Sequence, residues 1–270
     1  LERVIDPDDR QEVRAEEIAR YAPWSWICSL EGYLKGDPEP KFCGTGWLVG
    51  PCEVVTAGHC LYSPDGLGQR FERIRVIPGR SGSDCVSGEQ VAESFRSGWE
   101  IFGTEIMADR SHDFGMVRLP RPFAKVEGHF PLRTVERPGE MVGQWINVAG
   151  YPALHATLPS LGQHLLWHGE SVREAADPFL RYGADTSEGQ SGAPVFLARP
   201  EAGSAEDRLL PVAIHLNYAP DGEGTLNQGL VLTEAVREAM RSWFRSEAPQ
   251  RPRRGPFLSW RRGMGKNLHG

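Results

Sequence analysis

The chain has 270 residues, a formal net charge of −6 and 40% hydrophobic content, enough for one large or two small domains with a sizeable core. The acidic balance argues against a nucleic-acid partner, and no apolar run reaches the roughly 18 residues of a membrane span. The 31 glycines and 21 prolines predict many turns and short strands rather than long helices.

Residues 1–25 are polar and charged and read as an N-terminal arm, with a short helix predicted at Gln11 to Arg20. No signal-peptide pattern follows Leu1, so the chain reads as a mature or trimmed form. From Ser25 the pattern turns to β. Ser25–Leu30, Gly46–Val49, Glu53–Thr56 and Arg73–Ile77 are short, β-branched or alternating, and Pro-, Gly- and Asp-rich stretches separate them. Asp113 stands at the head of a further alternating strand through Leu119, with His112 expected on the opposite face. These segments predict a first β unit over 26–124. Residues 120–142 contain four prolines and little alternation, and 125–143 read as a linker. A second β unit over 144–246 follows, with strands at Gln144–Gly150, Gly162–His168, Leu180–Tyr182, Ala193–Leu197, Leu210–Leu216 and Gly229–Leu232. Thr233 is an N-cap, and Val236, Met240, Trp243 and Phe244 form one apolar stripe of a closing helix expected on the second unit. In the 247–270 tail Arg251, Arg253, Arg254, Arg261, Arg262 and Lys266 interleave with Phe257, Leu258 and Trp260. It fits a solvated tail, a linker, a membrane-surface segment or a dock for an acidic partner.

Three segments carry chemistry. Thr186-Ser187-Glu188-Gly189-Gln190-Ser191-Gly192-Ala193-Pro194-Val195 sets a serine between glycines, so that its side chain stands out and nearby N–H groups can converge on one spot. Alone, such a turn is common on protein surfaces. Val54-Val55-Thr56-Ala57-Gly58-His59-Cys60 runs an apolar strand into a turn that presents a histidine. Ser111-His112-Asp113-Phe114-Gly115 supplies the aspartate. A serine hydroxyl needs a base to attack an amide, and that base needs an orienting acid.

The order His, Asp, Ser and these contexts resemble the chymotrypsin-like serine endopeptidases, in particular their bacterial glutamyl-endopeptidase (V8-like) branch. Val4-Ile5-…-Asp8-Asp9-Arg10, Gly46-Trp47-Leu48-Val49-Gly50, Val148-Ala149-Gly150-Tyr151-Pro152, Gly189–Pro194 and Ile214-His215-Leu216-Asn217 carry the likeness. The resemblance implies an all-β fold of two six-stranded antiparallel barrels with a C-terminal helix. It also implies hydrolysis of a protein or peptide substrate through an acyl-enzyme, with Ser191 as nucleophile, His59 as base and Asp113 as its orienter. The N–H groups of Gly189 and Ser191 would form the oxyanion hole, and no metal or other cofactor is expected. Thr186 and His215, with Asn217, match positions that receive a glutamate carboxylate. Asp185 stands where trypsins keep the acid that binds Arg or Lys, which leaves a basic preference as the alternative. Tyr218 replaces a pocket-wall glycine, and Gln190 replaces the aspartate that pairs with a new N-terminus, itself expected near Arg3 or Val4.

Five cysteines leave at least one unpaired, and the resemblance implies a disulfide between Cys43 and Cys60. That bridge favours secretion; five reduced thiols fit a cytoplasmic domain of a larger effector equally well. A protease-like binding module is the rival from another class. His164 and His168 have a metal-like spacing, but the segment reads as strand with no acid near, so a metal site is not expected.

Overall fold

The computed structural model describes residues 4–5, 7–64, 68–153, 162–218 and 226–246; Leu1, Glu2 and the basic tail lie outside them. The arm differs from its expected helix. Gln11–Glu12 (β1) is extended, and only Ala15–Arg20 (α1) is helical. The physical reason is the capping box at Arg14, whose N–H donates to the Glu17 carboxylate at 2.9 Å and starts the helix there.

The first sheet contains Ile27–Tyr33 (β2), Phe42–Leu48 (β3), Glu53–Thr56 (β4), Arg73–Pro78 (β5), Gln90–Ala92 (β6), Ser94–Ser97 (β7) and Gly115–Arg118 (β8). A short helix, Gly98–Phe102 (α2), follows β7. The order is β6-β5-β2-β3-β4-β8-β7, antiparallel at every pairing. Only Glu93 separates β6 from β7, so the run 90–97 pairs with β5 at one end and β8 at the other and rolls the sheet into a barrel. That run is short and polar, and the sequence did not mark it as strand.

The second sheet contains Trp145–Gly150 (β9), Leu166–Ala176 (β10), Phe179–Tyr182 (β11), Pro194–Ala198 (β12), Leu209–Tyr218 (β13) and Asn227–Val231 (β14). Between β12 and β13 lies one turn of helix, Ala205–Arg208 (α3). The ring β9-β10-β11-β14-β13-β12 closes because β12 and β10 both pair with β9, and β1 adds to β10 from outside. The molecule is all-β in its main layers: two six-stranded antiparallel barrels, as the resemblance implied.

A shared apolar layer joins the barrels. Trp26, Trp47, Tyr151, Phe196 and Ile214 are buried there. At its centre is Phe130, wholly buried and edge-on to Trp26 and Trp47 at 5.3 and 5.5 Å. Phe130 comes from the stretch read as a linker, which therefore also serves as core. The closing helix Glu234–Ser246 (α4) begins where expected, with Thr233 Oγ1 accepting from Val236 N at 3.3 Å. Its stripe joins the shared layer rather than the second barrel alone, and Arg118 of β8 donates to its Phe244 carbonyl.

Candidate active site

Residues from both barrels meet at the seam. Thr56 ends β4, and a 3₁₀ turn over Gly58–Leu61 presents His59. A second 3₁₀ turn, Arg110–His112, delivers Asp113 just ahead of β8. His59 Nδ1 lies 3.0 Å from Asp113 Oδ2, and the His59 backbone N–H donates to Oδ1 at 2.9 Å. The buried carboxylate thus fixes both the ring and the backbone that carries it. Burial works against a charged His59, but the Asp113 charge, with the Cys60 thiol beside it, outweighs burial and holds the imidazole well above its usual range. Asp113 is itself held low: burial opposes ionisation, but His59 and the Arg110 guanidinium, which donates to Oδ2 at 2.8 Å, prevail. His112 sits in the turn, not in the strand, and stacks on Phe102 with centroids 4.4 Å apart.

Ser191 follows a tight turn. Ser187 N donates to Gln190 Oε1 and Gln190 N to Ser187 O, both at 3.0 Å. Gly189 has φ +97°, and a Cβ there would collide with Ala153 N and Tyr151 O, so this position takes only glycine. The Glu188 carbonyl accepts from Ala153 N, and the Gln190 carbonyl accepts from Ala193 N at 3.0 Å. A trans peptide points its N–H opposite its carbonyl, so the Gly189 and Ser191 N–H groups face away from those partners. The first barrel grips the same turn. Thr45 Oγ1 donates to Gly189 O at 2.8 Å, and Thr45 N to Ser191 O at 3.0 Å. The Ser191 hydroxyl donates to Leu216 O at 2.9 Å. Leu216 is the extra residue of a β-bulge, since His215 faces Gly229 and Asn217 faces Gln228, and the bulge re-aims its carbonyl.

Thr186 and His215 are both fully buried. The Tyr182 hydroxyl lies 2.7 Å from His215 Nδ1, at Gly229, where any Cβ would meet that hydroxyl at 3.0 Å. Burial, then the nearby His59 charge, push the His215 pKa down to about 3, so the ring is neutral at ordinary pH. Thr186 Oγ1 is buried without a hydrogen bond among the described residues. Asn217 Oδ1 accepts from Gln228 Nε2 at 3.0 Å, and Tyr218 is 36% exposed at the end of β13. A cavity of about 540 Å³ is lined by Gly189, Glu188, Cys43, Phe42 and Glu31 among others.

Asp185 lies elsewhere in the hydrogen-bond pattern. Its Oδ1 accepts from Ile5 N at 2.6 Å and its Oδ2 from Asp9 N at 2.9 Å. Asp9, His168 and Asp185 bring candidate ligand atoms within 4.8 Å of one another. They are knit together by their own bonds, since His168 Nδ1 also accepts from Asp185 N at 2.9 Å. His164 Nδ1 lies 2.6 Å from Glu12 Oε1. Acids therefore do stand beside both histidines, contrary to the sequence expectation, because the arm folds back over β10. The Cys43–Cys60 disulfide is also corrected: all five cysteines are free thiols. Cys60 Sγ donates to Ser191 O at 3.4 Å, while Cys43 packs against Gly162, and burial pushes its thiol up to about 11.

Residues 44–201 match the model of the trypsin-like peptidase domain. The chain belongs to the trypsin-like peptidase family. It is a serine protease of the chymotrypsin type. It is 29% identical to the glutamyl endopeptidase of Bacillus licheniformis over 250 residues, covering 91% of this chain and 70% of that one. It is 32% identical over 199 residues to a Bacillus subtilis protein named extracellular metalloprotease, covering 74% of this chain and 57% of that one. The solved structure of a Glu endopeptidase superposes with TM-score 0.68 at 24% identity, covering 89% of this chain and 99% of that one. Sequence reasoning about this peptidase missed Thr45, Tyr182 and Arg110. Thr45 lies in a glycine-flanked run that could have signalled close approach; the other two carry no local mark.

Proposed function

We propose that this protein is a serine endopeptidase that cleaves after glutamate, and more weakly after aspartate, through an acyl-enzyme. Ser191 attacks the scissile carbonyl. His59 takes its proton and returns it to the leaving amine, and Asp113 orients the ring and stabilises its charged form. The Gly189 and Ser191 N–H groups receive the oxyanion. The observation that carries the chemistry is the buried Asp113 on His59 Nδ1, set at the same seam as the Ser191 turn.

Three features support the acidic preference. Both Asp185 oxygens are engaged by backbone N–H groups of the arm, which makes this acid an anchor rather than a receptor for Arg or Lys. Thr186 Oγ1 is a buried hydroxyl with hydrogen-bonding capacity to spare. Neutral His215 keeps one ring N–H; were the Tyr182 hydroxyl, 2.7 Å from Nδ1, the donor there, that proton would sit on Nε2 and could be donated to a carboxylate, and a substrate carboxylate buried without such donors is prohibitively costly. The relative named glutamyl endopeptidase supports the same reading. Export from the cell belongs to it as well, supported by the relative named as extracellular; fractionation of a native culture checks this.

The test is terminal profiling of a denatured proteome digested by the protein and by Ser191→Ala. New termini after Glu that vanish in Ser191→Ala are expected. Cuts after Arg or Lys would return the pocket to Asp185, and equal digests would mean a binding module.

A further inference from the structure

The arm does more than cover the second barrel. β1 fixes its register on β10 through Gln11 opposite Trp167 and Glu12 opposite Leu166. That register delivers Arg10 into the turn before Ser191. Its side chain is only 2% exposed. Nη1 donates to Ser187 Oγ at 2.5 Å and to Gln190 Oε1 at 2.8 Å. Nε and Nη2 meet the two oxygens of Asp8 at 2.9 and 2.7 Å. A buried guanidinium is tolerable only when fully paired, and here the pairing spans two segments of the chain. In return, Asp185 of the barrel accepts from Ile5 N and Asp9 N. Arm and barrel therefore clasp each other through two reciprocal sets of bonds.

The residues that Arg10 holds bracket Glu188 and Gly189. Gln190 Oε1 accepts from both Arg10 Nη1 and Ser187 N, so one amide oxygen ties the two ends of the turn to the arm. An oxyanion site works only if its donors are aimed before the reaction begins. A glycine at positive φ does not hold that aim by itself, because it has other conformations open to it.

We propose that Arg10 is a positioning residue for the nucleophile turn: it pins Ser187 and Gln190, and so keeps the Glu188–Gly189 peptide set for the developing oxyanion. The proposal rests on Ser191 being the nucleophile. Gln190, which cannot form the ion pair of a trypsinogen-type switch, is given its own partner in Arg10. The donors from the arm are a side chain and two peptide N–H groups.

The test compares Arg10→Gln, Arg10→Lys, Ser187→Ala and the exposed arm variant Arg14→Gln with the unmodified chain. Steady-state turnover of a Glu-containing peptide is measured beside the rate of phosphonylation by a fluorophosphonate, both per titrated active site, so that unfolded molecules do not count. In Arg10→Gln both kcat and the phosphonylation rate are expected to fall by up to about 100-fold, the scale of losing one oxyanion donor, with KM moving less than about threefold. Ser187→Ala, which removes one of the two acceptors, is expected to lose less. Arg10→Lys should recover part of the loss, and Arg14→Gln should match the unmodified chain. If Arg10→Gln lowers only the melting temperature and leaves both rates per site within about twofold, Arg10 is merely structural and the proposal fails. If the loss falls on KM alone, it fails equally. Turnover surviving in Ser191→Ala would overturn the nucleophile reading and this proposal with it, whereas normal rates in Arg10→Gln overturn this proposal alone.

Discussion

His59 and His215 both sit back from solvent at the seam, and their surroundings push them in opposite directions. In each, burial disfavours the cation. At His59 a carboxylate 3.0 Å away reverses that outcome. At His215 the neighbour is a phenol, and the approach of His59 adds repulsion. The lesson is that depth does not decide a histidine's charge; the sign of its nearest partner does. In the proposed reaction one ring would therefore carry a proton, while the other would meet an anionic side chain only as a neutral hydrogen-bond donor.

The largest effect should come from breaking the side that holds the carboxylate. Asp113→Asn is expected to lower kcat about 10⁴-fold, by loss of tautomer and of charge, and to move the acid limb of kcat/KM to lower pH, measured on a Glu peptide across the pH range. On the other side, His215→Gln with Thr186→Val should cut kcat/KM for Glu substrates about 100-fold, because the buried carboxylate loses its donors. Substrates with a small apolar residue at that position should change little, and paired assays check this.

The two histidines also act in opposite senses on stability. His215 has a folded pKa near 3, below the 6.5 of an ordinary histidine. Its contribution is fully present above 6.5 and is lost as pH falls toward 3, since only the unfolded chain takes up the proton. As pH falls from 6.5 the predicted loss steepens toward the one-proton limit of roughly 1.4 kcal/mol per pH unit, reached below about pH 5.5, read from urea titrations, with a shallower slope in His215→Gln. His59, raised instead, contributes stability that is full below 6.5 and fades as pH rises through its folded pKa, so His59→Gln should flatten the alkaline side. The smallest effect is that of Arg110→Gln. Arg110 is 38% exposed and screened by solvent. Its removal leaves Asp113 acting more strongly on His59, so the acid limb should move slightly to higher pH.

Much of this was legible along the chain. Glu53–Thr56 is a strand within the limits expected, and Thr233 caps α4 as its side chain suggests. His59, Asp113 and Ser191 stand out because each is set in a turn whose glycines and apolar flanks are neighbours in sequence. The run 90–97 was not legible, because its buried positions include the polar Gln90 and Ser97 while Val91 faces outward, so its hydropathy does not follow the alternation of its burial. Phe130 was hidden for a related reason: beside Pro131 and outside any alternating run, it has no period to reveal that it fills the space between two barrels.

The sequence by itself determined most of the strands, the turns and the residue types able to perform acyl transfer, because propensity, alternation and glycine conformations act over a few residues. Tertiary structure alone decided who partners whom. Ile5 and Asp185 are bonded across 180 positions. Tyr182 reaches His215 only in the register that sets Gly229 opposite it. Cys43 and Cys60 remain thiols. Such pairings depend on strand register and barrel closure, and those are set by the burial of the whole chain.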